Sequence, residues 1–244
     1  MNSANAVFKE KEQLGFEEEI AVLTRTKIVQ HINVERTEPE ETVEFVKKPV
    51  YEVVKRVIDI VCSAFALIAL SPLFLITMLA IYIDDPGPVL FKQTRVGKNG
   101  KKFKIFKFRS MKVNAEEFKA ELMKQNQDCG ANFKIEHDPR ITRVGSFIRK
   151  TSIDELPQLI NILIGDMSVI GPRPFIEDEQ KNLPDDRLMV KPGLSCYWQI
   201  GGKNDLSMPE QIALDRRYIK ERSVAVDIKI IFRTMLMVIR SKNK

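Results

Sequence analysis

Asp154 and Glu155 stand side by side in "RKTSIDELPQLINILIGDMSVIGPRP", residues 149–174, between a basic cluster and a proline. Adjacent carboxylates are ionised near neutral pH. They can attack an electrophile without a separate base, or offer hard oxygens to a divalent cation. A structural role fits the same letters. Ser152 to Glu155 spells the S-x-x-E capping box, and acids in a first helical turn complement the helix dipole. Pro157 favours the first helical position, which would leave both acids in a bend outside a helix carrying Leu159, Ile160, Leu163 and Ile164. The surrounding chain has to decide between these readings.

The 244 residues suffice for one ordinary domain with appendages, and 44% of them are hydrophobic. A formal charge of +6 suits a polyanionic partner: nucleic acid, an anionic membrane or a phosphorylated substrate. Cys62, Cys129 and Cys196 are odd in number and far apart, so they give neither a disulfide framework nor metal-ligand spacing. His31 and His137 are too isolated for a zinc site or a Ser-His triad.

Residues 1–50 are charged and lack the basic start and apolar run of a signal peptide, which predicts a mobile or loosely packed extension. From Ile60 to Ile83 there is no charged residue, a run long enough for a membrane segment; a buried core helix is the alternative. Pro72 near its middle lacks a backbone donor and conflicts with the carbonyl of residue 68, so a break is expected, and Ser71 can bond a freed carbonyl there. A chain that bends back leaves both ends on one face, and Lys55 and Arg56 place that face on the cytoplasmic side. Asp59, one turn on, is expected to pair with them at the interface.

Further along, "VLFKQTRVGKNGKKFKIFKFRSM" reads as two strands joined at Asn99-Gly100. Its interleaved Lys and Phe fit a nucleic-acid surface or a ribbon at a membrane. A helix is expected over 114–126, and another of about a dozen residues behind the capping box Ser207 to Glu210. The last segment, "VDIKIIFRTMLMVIR", is apolar apart from Asp227, Lys229, Arg233 and Arg240. Its three cations fall within about 40° of one another at helical spacing, as on a helix lying in a membrane interface or one packed on the domain with a solvated face.

Five blocks, "KRVIDIVCSAFALIALSPLFLITMLAI", "GPVLFKQTRVGKNGKKFKIFKFRSM", "DPRITRVGSFIRKTSIDELPQLINILIGDMSVIGPRP", "KPGLSCYWQIGGKND" and "LDRRYIKERSVAVDIKII", occur in one order from about residue 51 onward. Together they resemble the bacterial sugar transferases of the monotopic polyprenyl-phosphate sugar-1-phosphate transferase superfamily. The resemblance implies an α+β, mostly helical catalytic domain over 86–244 with a short β-hairpin and interfacial helices, behind a re-entrant membrane helix over 51–85 broken at Ser71-Pro72. It implies transfer of a phosphosugar from a UDP-sugar to undecaprenyl phosphate with release of UMP, on the cytoplasmic face of the inner membrane.

By the same resemblance Asp154 is the nucleophile and Glu155 helps hold Mg²⁺. Arg149 and Arg173 are candidates for phosphate, since guanidinium binds it bidentately, with surface solvation the alternative. Arg109, Asp166 and Lys203 complete the candidate substrate set, and Lys55, Arg56 and Asp59 form an interfacial anchor. A homodimer is a family-based expectation, and nucleic acid has no part because it leaves the apolar run without a role. Longer members carry upstream membrane helices, whereas residues 1–50 hold no comparable run. Cys196 and Lys203 replace the small or apolar residue and the arginine more usual in relatives, and lysine lacks the guanidinium fork. A catalytically silent membrane scaffold that binds anionic lipid is the competing function.

Overall fold

The computed structural model describes residues 45–115, 138–202 and 206–241. Pro49 opens helix α1, Pro49–Ala69, at a position where its missing N–H costs nothing. After Leu70 the chain restarts as α2, Ser71–Asp84, with Pro72 in its first turn. The Ser71 hydroxyl donates to the carbonyl of Ile68 at 2.8 Å, satisfying the oxygen that the proline ring would otherwise crowd. No single helix among the described residues is long and apolar enough to cross a membrane; α1 and α2 pass that test together, bent by 61°. Val53, Val57, Val61, Phe65, Ile68, Leu75, Ile76 and Leu79 of this pair are exposed.

The hairpin forms as the sequence predicts. Strands β1, Leu90–Val96, and β2, Lys102–Phe108, pair antiparallel with Leu90 opposite Phe108 and Val96 opposite Lys102. Asn99 and Gly100 take positive φ in the connection, Asn99 at 57°. Helix α3, Arg143–Lys150, is capped by Thr142, whose hydroxyl accepts from the Gly145 N–H at 2.9 Å. A Cβ on Gly145 would stand 2.0 Å from the Ser110 carbonyl oxygen, so only glycine lets α3 lie this close to the end of the hairpin.

Beyond α3 follow α4, Gln158–Ile164, β3, Ser168–Ile170, the short α5, Glu177–Gln180, and β4, Gly193–Ser195. Strands β3 and β4 form a two-stranded parallel sheet that the sequence reading did not foresee. Helices α6, Tyr197–Gly202, α7, Met208–Glu221, and α8, Val224–Ser241, complete a mostly helical α+β chain. The expected box behind α7 is present: Glu210 accepts from both the Ser207 N–H and its hydroxyl, each at 2.7 Å. The helix expected over 114–126 lies almost wholly outside the described residues.

Three apolar clusters hold these pieces. Ile81, Phe108 and Ile148 join α2 to β2 and α3. Phe103, Ile105, Leu159, Ile162 and Met167 take in Ala66, Leu67 and Leu70, and so pack α1 against β2 and α4. Ile170, Trp198, Leu214, Tyr218, Ile219 and Ile230 join β3 to α6, α7 and α8. Cys196 lies in this last cluster with no exposed surface, a small apolar residue in effect; burial pushes its thiol well above the usual range.

Polar groups pin α1 to this body, and here an expectation is corrected. Asp59 does not bond to Lys55 or Arg56. It is buried and accepts from the Ser168 hydroxyl and the Val169 N–H, both at 2.9 Å, so it fixes α1 to β3. Lys55 instead meets Asp227 of α8 at 2.7 Å, where the Tyr51 and Tyr218 hydroxyls also donate. Arg56 donates to the carbonyls of Ile162 and Leu163 at the end of α4. The reason is geometric: these side chains sit on the face of α1 that packs on the body, with tertiary partners nearer than each other.

Candidate active site

The backbone turns sharply between α3 and α4. Thr151 closes α3, its hydroxyl donating to the Phe147 carbonyl at 2.9 Å, and Ser152 takes left-handed φ at 57°. Ile153 to Glu155 then form one turn of 3-10 helix, and α4 starts behind Pro157. The Ser152 side chain makes no capping bond, so the S-x-x-E letters do not act as a capping box here. The acids lie in a bend outside the helix, the arrangement that Pro157 favours.

Glu155 is half-buried at the mouth of a cleft. Its Oε1 accepts from the Lys107 ammonium at 2.9 Å and lies 3.6 Å from Nη1 of Arg173. Asp154, next to it in the same turn, is also half-buried. Arg95, Lys107, Glu155, Gln158, Arg173 and Gln199 supply the polar lining of the cleft. Arg95 carries a buried Nε without a partner, and its acidity is increased first by burial and next by the charge of Arg173. Lys107 and Arg173 thus meet on Glu155, while Arg95 lines the same cleft and lies 3.7 Å from Glu179. A substrate with several anionic oxygens suits such a set of cations.

Arg173 owes its place to a rigid loop. Pro172 and Pro174 flank it, and Nη2 of the buried Arg187 donates to its carbonyl at 3.0 Å. Arg187 is held in turn by Asp215 at 2.6 Å, both side chains almost fully buried. Burial pushes the Asp215 carboxyl up to about 6, and Arg187 opposes that rise. Gly171 and Gly193 pass so closely that a Cβ on Gly193 would stand 2.0 Å from the Gly171 nitrogen, which brings the Arg173 loop against β4.

The structure gathers only part of the expected set. Glu155 and Arg173 meet, with Asp154 adjacent, and Arg149 is exposed at the end of α3 just before the turn. Arg109 is a correction: it lies buried just past the end of β2, two residues beyond Lys107, where its guanidinium pairs with the Asp85 carboxylate at 3.0 Å and also donates to the Asp85 carbonyl. It clamps the α2–β1 connection and does not line the cleft. Asp166 is likewise not part of the cleft; it follows Gly165 at the far end of α4, on the side of Arg56 and Lys191. Lys203 lies outside the described residues.

Lys107 and Arg95 were missed, though the pattern contained them. Phe103, Ile105 and Lys107 share one face of β2 by period-two alternation, and Arg95 sits opposite Phe103 on that face. A lysine and an arginine continuing a buried apolar face are out of place unless they serve a site.

The profile of bacterial sugar transferases matches residues 50–241. The chain belongs to that family. It is 45% identical over 193 residues to the undecaprenyl-phosphate galactose phosphotransferase of Salmonella typhimurium, an alignment covering 76% of this chain and 40% of that one. It is 40% identical over 203 residues to the exopolysaccharide production protein ExoY of Sinorhizobium fredii, covering 80% and 90% respectively. A UDP-glucose:undecaprenyl-phosphate glucose-1-phosphate transferase of Escherichia coli is 40% identical over 197 residues. The aligned part of this chain thus spans about two fifths of the Salmonella relative and most of ExoY. The cleft, the turn with both acids and all of the bent helix pair but Pro49 fall within the matched residues.

Proposed function

We propose that this transferase moves a sugar 1-phosphate from a UDP-sugar to undecaprenyl phosphate and releases UMP, as the first membrane step of a surface polysaccharide or glycan. The observation that carries this reading is the pairing of Lys107 and Arg173 with Glu155, beside Asp154 and in a cleft that Arg95 also lines, in a chain whose relatives bear names for that chemistry.

In the first step an Asp154 oxygen attacks the sugar-bearing phosphorus, and the phosphoanhydride bond to UMP breaks. UMP leaves with the electron pair, and the phosphosugar stays on Asp154 as an acyl phosphate. In the second step an oxygen of undecaprenyl phosphate attacks the same phosphorus, the acyl–phosphate bond breaks and the carboxylate is regenerated. Arg173 and Lys107 hold the donor's phosphate oxygens in line, and Arg95 adds field from behind. No group of three or more metal-ligating side chains occurs among the described residues. The donor set still fits Mg²⁺, which takes one or two carboxylates together with substrate phosphates, and Glu155 with its neighbour supplies those. Bound there, the ion would neutralise charge on the diphosphate.

The bent pair α1–α2, with its apolar outer surface, reads as a re-entrant anchor that sets the cleft at headgroup depth on the cytoplasmic face. α8 fits the same plane: Ile228, Phe232, Met235 and Leu236 are exposed, with Lys229 and Arg233 exposed among them. The test is release of UMP by the purified full chain in detergent, with and without Mg²⁺, across UDP-hexoses and UDP-N-acetylhexosamines. Turnover with at least one donor, lost on chelation, is expected. No release from any of them with undecaprenyl phosphate present would favour a silent scaffold.

A further inference from the structure

A second basic cavity, of about 180 Å³, lies between the first half of α1 and the loop that leads into β4. Lys55, Arg56, Lys98, Lys191 and Arg222 line it, against the carboxylates of Glu52 and Asp59. It is not the catalytic cleft: Glu155 precedes α4 and Gly165 follows it, so roughly 10 Å of helix separates the two.

Most of these charges are accounted for. Lys55 is neutralised by Asp227 and Lys98 faces Glu52 at 3.8 Å, while Arg222 donates to the carbonyls of Ile219 and Val46 and Arg56 to those of Ile162 and Leu163. Asp59 spends its Oδ1 on β3. Lys191 remains beside Arg56, and neither has a carboxylate within ion-pair distance among the described residues. Their heads are close together: Nη2 of Arg56 and Nζ of Lys191 lie 3.2 and 3.5 Å from the point where a Cβ on Gly165 would stand. Burial depresses the Lys191 pKa, Arg56 lowers it further, and the carboxylates of Asp59 and Asp166 oppose that fall from beyond ion-pair distance. Two like charges crowded in a half-buried cavity cost free energy unless an anion joins them.

We propose that this cavity is a phosphate site, distinct from the catalytic cleft, that takes the headgroup phosphate of an anionic phospholipid between Arg56 and Lys191. Phosphate supplies several oxygens to a fork and an ammonium at once. The lipid source follows from position, and rests on the membrane reading of α1 and α2 given above. The opposite face of the same stretch of α1 exposes Val50, Val53 and Val57, so the cavity mouth lies where the apolar surface gives way to charge. A headgroup bound there locks α1 to the body at a fixed depth.

Lysine acylation of the full chain by the N-hydroxysuccinimide ester of acetate, read by peptide mass spectrometry, tests this. In detergent, inorganic phosphate should lower labelling of Lys191 several-fold relative to chloride at matched ionic strength, with Lys181 unchanged. This arm needs no bilayer, so it stands or falls apart from the membrane reading. In nanodiscs, phosphatidylglycerol mixed into phosphatidylcholine should protect Lys191 where phosphatidylcholine alone does not. Equal labelling with and without phosphate would overturn the site; protection by phosphate but not by phosphatidylglycerol would overturn the lipid assignment. The variant Lys191→Gln should raise Tm in phosphate-free buffer, since it relieves repulsion, and should lose any further rise on adding phosphate. A lower Tm without phosphate would make Lys191 a structural residue and refute the proposal.

Discussion

The ammonium of Lys107, near the end of β2, stands 2.9 Å from the carboxylate of Glu155 in the turn between α3 and α4. This contact joins two elements 48 residues apart and fixes the acid that faces the cleft. A charge-assisted hydrogen bond is worth about 1.5–3 kcal/mol. Lys107→Met should therefore lower kcat/KM for UMP release by roughly 10- to 100-fold with the fold intact by circular dichroism. Lys107→Arg, which keeps the charge, should recover part of the loss. Unchanged kcat/KM in the methionine variant would remove Lys107 from the site.

Asp154→Asn should abolish turnover without unfolding the protein, because an amide cannot form the acyl phosphate. With UDP-sugar and no lipid acceptor, intact-mass measurement should show one added phosphosugar on the native chain, mapped to Asp154, and none on the variant. Turnover by the pure variant at a substantial rate would assign the nucleophile elsewhere. Glu155→Gln should retain binding of donor but need more Mg²⁺ for what activity is left. An unaltered Mg²⁺ dependence would place the ion on other residues.

Arg173 is positioned from behind. Asp215 holds Arg187, and Arg187 holds the Arg173 carbonyl. Removing one partner of a buried pair leaves an uncompensated charge, at a cost of about 3–5 kcal/mol. Asp215→Leu should lower Tm sharply, whereas the double variant Arg187→Met, Asp215→Leu should recover most of the stability. Activity should stay low in the double variant, because the loop has lost its anchor. Full recovery of kcat along with Tm would show that the pair serves folding only.

Local signals carried most of what the sequence revealed. Asn99-Gly100 needs only its neighbours to turn a hairpin, and Ser71-Pro72 breaks a helix through its own missing donor. Ser207 and Glu210 cap α7 from within four residues. Ser152 and Glu155 show the limit, since the same letters, followed by Pro157, give a left-handed residue and a 3-10 turn instead. What stayed hidden depended on distant partners. Strands β3 and β4 have three residues each and pair in parallel across a connection that holds α5, so neither shows a period. Arg109 belongs to a motif block, but Asp85 claims it only once the turn after α2 has formed. Asp59 follows Lys55 and Arg56 by one turn, yet β3 offers it two donors in a buried setting and the cations find other acceptors.

Topology follows from the break at Leu70, where α1 and α2 meet at 61°. If α2 returns the chain to the face by which α1 entered, Lys55 and the domain after Pro86 share the cytoplasm. Single cysteines placed before Lys55 and after Pro88, in a chain lacking Cys62, Cys129 and Cys196, should both resist an impermeant maleimide in intact cells. Labelling of either one from outside would mean that the pair spans. Pro72→Leu restores a backbone donor and removes the ring that crowds the Ile68 carbonyl, so one straight helix of about 35 residues becomes accessible, ample to cross a bilayer. The positive flanks still favour the cytoplasmic side. The variant should thus give a mixed population, with one of the two probes labelled in part of the molecules, and UMP release should fall in proportion to the fraction inverted. Uniform shielding of both probes in Pro72→Leu would show that packing of α2 on Phe108 and Ile148, rather than the proline, holds the bend.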